Sequence, residues 1–300
     1  MSFWDKILQL LGLYHKPSNT TTTTTSPIIT STTTTETAGG KKMKKAFCFS
    51  INDYPGVQND LKGCNADSLN WSNLLKNNYG FDVNRIIDSS VTRSTVMNTM
   101  TDLIINSNPG DVLVFTYSGH GTSVIDSNND EISGKDEAIC LYDGLLIDDE
   151  IRAIFDKLPQ GVKLTFVADS CFSGTVTRAF LNTMNDFSYI SVPKYLPPKD
   201  DIDANNISSL SSLRPFAYPE EGMNHILISG SSDSEYSYDA NINGATGAFS
   251  FYAIQVLMAN PHITYSDFYN ELRKSLPNRQ YPQTPQLEGS IENKNSVMFE

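Results

Sequence analysis

DVLVFTYSGHG (residues 111–121) and VKLTFVADSCFSG (residues 162–174) follow one plan. Each is a run of β-branched, aromatic and aliphatic residues that stops abruptly in a polar turn containing glycine. Such runs suit buried strands. In open α/β sheets, sites form just beyond the carboxyl ends of strands, where both turns would lie. The first turn carries His120 between Gly119 and Gly121, glycines that let the backbone bend sharply and approach a ligand closely. The second carries Cys171. A thiol attacks as the thiolate, and a neighbouring imidazole both takes its proton and lowers its pKa. A lone histidine after a strand is usually structural, and a lone cysteine is usually core. One of each, both at glycine-flanked strand ends, points to nucleophilic catalysis.

Working outward, AFCFSI (46–51), NRII (84–87), EAICLYD (137–143) and HILISG (225–230) read as further strands. Helices are predicted between them. One spans 65–78 with Ala66, Leu69, Leu74 and Leu75 inward. A second is capped by Ser94 and runs to Ile105, with Val96, Met100, Leu103 and Ile104 on one face. A third is capped by Asp148 and runs to Phe155, and two more lie near 247–259 and 265–275. This alternation predicts an α/β fold, a central and mostly parallel β-sheet with helices on both faces. Residues 182–222 break the pattern with prolines and many Asn, Asp and Ser, and read as a long exposed insertion. Ahead of the folded region 44–300, residues 18–43 form a Thr-rich flexible linker. Residues 1–17 form a short amphipathic helix through Phe3, Trp4, Ile7, Leu8, Leu11 and Tyr14. Too short to bury its face alone, and poor in Lys and Arg, it is expected to dock on protein rather than on a membrane surface.

The net charge of −12 argues against a nucleic-acid partner. Cys48, Cys64, Cys140 and Cys171 form no CxxC or Cys/His cluster, which argues against structural zinc. Cys48 and Cys140 sit in apolar runs, as buried thiols do, so a reducing, cytoplasmic location is expected. No stretch reaches the ~18 apolar residues of a membrane helix, and the N-terminus lacks the pattern of a signal peptide.

YSGHG (117–121) and DSCFSG (169–174) resemble the paired signatures of the caspase-like clan of cysteine peptidases, in the pattern of type I metacaspases and bacterial orthocaspases. LKGCNADS (61–68), KDEAICLYDG and LIDDEIR (within 135–152), SGSSDSEYSYD and GAFSFY (within 229–252) and QTPQLEGS (283–290) extend the resemblance, in order, across about 44–300. It implies a caspase–hemoglobinase fold and peptide-bond hydrolysis through a thioester. On this resemblance Cys171 is the nucleophile, His120 the acid–base, and the backbone N–H groups of Gly121 and Cys171 the oxyanion hole. Asp67 and Asp169 match the acidic S1 pocket, which implies cleavage after Arg or Lys. The resemblance also implies self-cleavage beyond the nucleophile strand, where Arg178, Lys194, Lys199 and Arg214 are candidates, and the lysines at 41–45 offer a second cut. No cofactor is needed for the chemistry. Calcium is an activator of many relatives, and Asp136, Asp148 and Asp149 match part of its site. Arg178 stands where the family has an acid, and opposes a divalent ion. Phe172 replaces a usual histidine. Two other readings keep the fold: a catalytically silent scaffold, and a peptidase of different P1 preference.

Overall fold

Five parallel strands and an antiparallel edge strand form the central sheet. The computed structural model describes residues 42–125, 135–171, 191–197, 220–232, 235–240, 242 and 246–300. The expected helix 1–17 and nearly all of the linker lie outside these residues, as do Phe172, Arg178, Lys199 and Arg214. The chain divides into two units, Met1–Gly40 and Lys41–Glu300, and the fold described is that of the second.

The strands are β1 (Lys44–Ser50), β2 (Asp82–Ile87), β3 (Val112–Ser118), β4 (Gly121–Ile125), β5 (Lys135–Leu141) and β6 (Gly144–Ile147). They continue as β7 (Lys163–Asp169), β8 (Ser191–Pro193), β9 (Ile226–Ser229), β10 (Tyr238–Ala240), β11 (Thr246–Gly247) and β12 (Gln286–Glu288). The central sheet runs β12-β9-β7-β3-β1-β2, with only β12 antiparallel to its neighbour. Two small antiparallel sheets, β4-β5-β6 and β11-β10-β8, are made of strands that fall between central-sheet strands in the chain.

β3 is buried at every position, as expected of a parallel strand covered on both faces. Leu113, Phe115 and Tyr117 join Val96, Met100, Leu103 and Ile104 of the helix Arg93–Ile105 and Ile151, Ile154 and Phe155 of the helix Asp148–Phe155 in one apolar cluster. The alternate side chains, including Ser118, meet the helix Cys64–Tyr79, which in turn packs on the helix Ala248–Ala259.

Three local expectations need correction. Leu69 does not face inward but is 44% exposed. The buried face of its helix is instead Asp67, Ser68, Trp71, Leu74 and Leu75, because the first turns lie over the polar strand ends, where Ser68 meets Ser50 and Asp67 meets Ser118. Thr92, not Ser94, caps the second helix: its hydroxyl accepts the Thr95 N–H at 3.2 Å. Asp148 is the first helical residue rather than the cap, and the Glu150 carboxylate accepts the Ile147 N–H at 3.3 Å. Glu150 also holds a short ion pair with Arg93.

Of the expected insertion 182–222, only 191–197 and 220–222 fall among the described residues. Within 182–222, residues Ser191–Pro193 form β8, antiparallel to β10, with Val192 exposed and Lys194 completely buried. An ammonium group is buried only where charge and hydrogen bonds compensate it, and here they do.

Among the described residues no helix is long and apolar enough to cross a membrane. These residues include all four cysteines, which are buried and form no disulfide.

Candidate active site

Strand register, not sequence distance, brings the two polar turns together. Ser118 of β3 lies opposite Asp169 of β7, so residues two further along each strand, His120 and Cys171, emerge side by side at the carboxyl edge. The Gly119 N–H reaches the Asp169 carbonyl at 3.4 Å. The approach is close enough that a Cβ on Gly121 would sit 2.2 Å from the Cys171 carbonyl oxygen, which only glycine avoids.

His120 is held from several sides. Its N–H donates to the Tyr54 hydroxyl at 2.8 Å, and the Tyr54 and His120 rings pack with centroids 4.8 Å apart. Tyr117 donates toward the His120 carbonyl at 2.8 Å. Its Nε2 lies 2.8 Å from the Asn59 carbonyl. A carbonyl only accepts, so Nε2 carries the proton and Nδ1 is the basic nitrogen. Nδ1 is buried and makes no hydrogen bond among the described residues. Burial lowers the imidazole pKa to about 4, with the Asn59 carbonyl opposing that shift and the nearby Lys194 charge adding to it.

The Cys171 thiol is fully buried. It donates to the Ser237 carbonyl at 3.0 Å and accepts the Ser237 N–H at 2.7 Å. Burial pushes it well above the ordinary thiol value. Both shifts favour the neutral forms, thiol and imidazole.

Asp67 and Asp169 are both buried and form a slot that one cation occupies. Asp67 Oδ1 accepts the Gly247 N–H at 2.8 Å, and Oδ2 accepts the Ser118 hydroxyl at 2.8 Å. Asp169 Oδ1 accepts the Ser237 hydroxyl at 2.6 Å, and Oδ2 accepts the Ser250 hydroxyl at 2.7 Å. Lys194 fills the slot. Its Nζ lies 3.0 Å from Asp67 Oδ2, from Asp169 Oδ2 and from Ser118 Oγ. Burial works against the ammonium, but Asp169 and Asp67 outweigh it and hold the Lys194 pKa well above normal. Burial pushes the Asp67 carboxyl up; Lys194 pulls it back and Asp169 pushes it further.

The Lys194 backbone is engaged as completely as its side chain. Its carbonyl accepts the Gly121 N–H at 2.9 Å and the Cys171 N–H at 3.2 Å, and its N–H donates to the Ser237 carbonyl at 2.9 Å. Leu196 N–H donates to the Gly121 carbonyl at 3.1 Å, and the Tyr195 ring lies 6.0 Å from that of Tyr236.

Asp136, Asp148 and Asp149 are arranged differently from the other expected site residues. Among the described residues no group of three or more His, Cys, Asp or Glu side chains is set to hold a metal ion. Arg152 pairs with Asp148 at 3.2 Å and with Asp149 at 3.4 Å, and a guanidinium on both carboxylates opposes a divalent cation.

Several contributors were not singled out from sequence. Ser118, Ser237, Gly247 and Ser250 lie inside the quoted segments YSGHG, SEYSYD and GAFSFY, yet small polar residues carry no individual signal. Tyr54 and Asn59 lie outside those segments. In sequence Lys194 is only one of four basic residues beyond the nucleophile strand.

Buried His120 and His225 give the domain an acid-sensitive stability. Burial lowers both to about 4, and Arg152 adds to the effect at His225. The unfolded chain, with histidines near 6.5, binds more protons between those values, so stability present above pH 6.5 is lost as pH falls toward 4. Each group contributes about 3 kcal/mol when fully developed. The raised Asp67 carboxyl works in the opposite direction over the same range, so urea unfolding at pH 7 and pH 4.5 reads the histidine share as the difference between wild type and a variant. A His225→Phe variant, which keeps the ring packing on Phe155 (centroids 4.9 Å apart), should lose less than wild type does.

Fold and family together define the class of the chain: a caspase-like cysteine-type endopeptidase. It belongs to the metacaspase family. A family model described as metacaspase, peptidase C14 domain, matches residues 44–179. Metacaspase-1 of Scheffersomyces stipitis is 32% identical, over 85% of this chain and 73% of its own length. Metacaspase-1 of Emericella nidulans is 32% identical over 82% and 70%. The crystal structure of protein GSU0716 from Geobacter sulfurreducens superimposes with a TM-score of 0.67 at 25% identity, covering 86% of this chain and 98% of that one. Caspase-1 from Spodoptera frugiperda, at 14% identity and a TM-score of 0.54 over 86% and 89%, shares the fold.

Proposed function

We propose that this peptidase cleaves after lysine or arginine with a Cys171–His120 dyad, and that it cuts its own chain after Lys194. The observation that supports this reading is Lys194 itself, whose ammonium lies between Asp67 and Asp169 while its carbonyl accepts from Gly121 and Cys171. An internal segment thereby adopts the pose of a substrate, added as a strand beside β10.

The chemistry follows from these positions. His120 Nδ1 takes the Cys171 thiol proton as sulfur attacks the carbonyl carbon of the P1 residue. The oxyanion formed is held by the Gly121 and Cys171 N–H groups, and removing one such donor typically slows a reaction by about 10²–10³-fold. His120 then gives its proton to the departing amine, the Tyr195 nitrogen in the self-cleavage case. Water, deprotonated by His120, splits the thioester and restores the thiol. No step runs through calcium; Arg152 pairs with Asp148 and Asp149. A thiol nucleophile suits a reducing location such as the cytoplasm. Substrates are proteins or peptides with an accessible basic residue.

Prolonged incubation followed by intact-mass measurement tests the reading. Wild type should yield one fragment ending at Lys194 and another beginning at Tyr195. Cys171→Ala should stay whole, and Lys194→Ala should lose that cut. A chain that never cleaves itself and turns over no Lys-, Arg- or Asp-ended peptide would instead be the silent scaffold.

A further inference from the structure

We infer that the site continues past the scissile bond: the Tyr236 ring receives an aromatic P1′ residue, and Gly121 clamps the extended segment that carries it. The inference rests on the reading of Lys194 as a P1 residue.

Gly121 holds both sides of the Lys194–Tyr195 peptide bond. Its N–H donates to the Lys194 carbonyl at 2.9 Å, and its carbonyl accepts the Leu196 N–H at 3.1 Å. These two bonds straddle Tyr195, which pairs with Gly121 in parallel register. The Lys194 N–H is bonded in turn to the Ser237 carbonyl. The main chain is thus held as a strand from P1 to P2′. A substrate without an N–H at P2′ loses the bond to the Gly121 carbonyl.

The side chains beyond the bond are engaged as well. The Tyr195 and Tyr236 rings lie with centroids 6.0 Å apart and planes inclined at 55°, within the range of favourable tilted aromatic pairs. Tyr236 is a braced surface. It packs on Tyr238 at 6.5 Å, which packs on Tyr281 at 6.3 Å, and all three are buried. Its neighbour in the chain, Ser237, makes both Cys171 Sγ contacts. The aromatic surface is therefore tied to the residue that seats the nucleophile. Leu196, at P2′, packs against the main apolar cluster.

An alanine at P1′ leaves Tyr236 without its ring partner. Losing an aromatic pair and the apolar contact it brings corresponds to about 10-fold in kcat/KM. Losing one backbone hydrogen bond corresponds to about 5-fold.

The test uses internally quenched peptides cut at an ordinary peptide bond. The parent, Ser-Val-Pro-Lys-Tyr-Leu-Pro, reproduces residues 191–197. A second peptide has alanine at P1′, and a third has N-methyl-leucine at P2′. The full-length enzyme should cut the parent about 10-fold faster than the alanine peptide, and about 5-fold faster than the N-methyl peptide. Tyr236→Leu should bring the first ratio toward one and leave the second unchanged; damage to the fold would slow all three peptides alike. In the chain itself, Tyr195→Ala should slow the cut after Lys194. Equal cleavage of the parent and alanine peptides after lysine by wild type would overturn the P1′ preference and leave the basic P1 site standing. An N-methyl peptide cut as fast as the parent would overturn the clamp. Cleavage of none of the three after lysine would overturn the inference together with the P1 reading. Wild-type kinetics alone decide the matter if Tyr236→Leu melts early.

Discussion

Replacing Cys171 with alanine is expected to lower kcat/KM for a lysine-ended peptide by at least about a thousandfold. The sulfur is the only atom assigned to form the acyl bond, and alanine offers no nucleophile in its place. The loss should appear in kcat rather than KM, because Asp67, Asp169 and the two N–H donors that grip the P1 residue are untouched. His120→Ala should lose a comparable amount, and the double variant should be little worse than either single one, since two groups that perform one step do not add. Folding is a separate matter. Cys171 Sγ accepts the buried Ser237 N–H, which alanine leaves without that acceptor, so the variant should unfold cooperatively at a somewhat lower urea midpoint. Residual activity above about a tenth of wild type, in protein free of contaminating peptidase, would rule out Cys171 as nucleophile.

Asp67→Asn is expected to cut kcat/KM for lysine-ended peptides by about a hundredfold or more, while hydrolysis of a methionine-ended peptide, slow in wild type, changes little. Asparagine keeps the shape and an oxygen for the Gly247 N–H, so what is removed is chiefly one of two negative charges facing a fully desolvated ammonium. Removing one partner of a buried ion pair typically costs about 3–5 kcal/mol, which corresponds to that range of rate. The surviving Asp169 places this variant toward the lower end. In the intact chain the same change should loosen the seat of Lys194 and slow cleavage there. Michaelis–Menten analysis of the two peptides checks the prediction. An equal fall for both would mean that Asp67 acts by supporting the fold and not by binding charge.

These predictions differ in how they became available. The polar turns after β3 and β7 were legible because a strand written VLVFTYS or KLTFVAD declares itself through side-chain shape, and glycines mark where it must end. The acid pair was legible only through resemblance, since a single aspartate in a helix or at a strand end has no signature of its own. The inward face of the first helix was misjudged at Leu69. Apolar periodicity assumes an apolar floor, and this helix begins over Ser50 and Ser118.

By itself the sequence determined the alternation of strands and helices, the two strand ends that bear His120 and Cys171, and the membership of the chain in a peptidase family. Those features are local, or are ordered motifs read along one line. Only the tertiary structure decided that Ser118 lies opposite Asp169, which turns two separate strand ends into one site. It alone decided that Lys194, in a stretch whose composition reads as exposed loop, is wholly buried. No local pattern buries an ammonium ion. Its burial depends on two carboxylates and a hydroxyl carried by a helix and two strands distant in the chain, and these meet only when the sheet has formed.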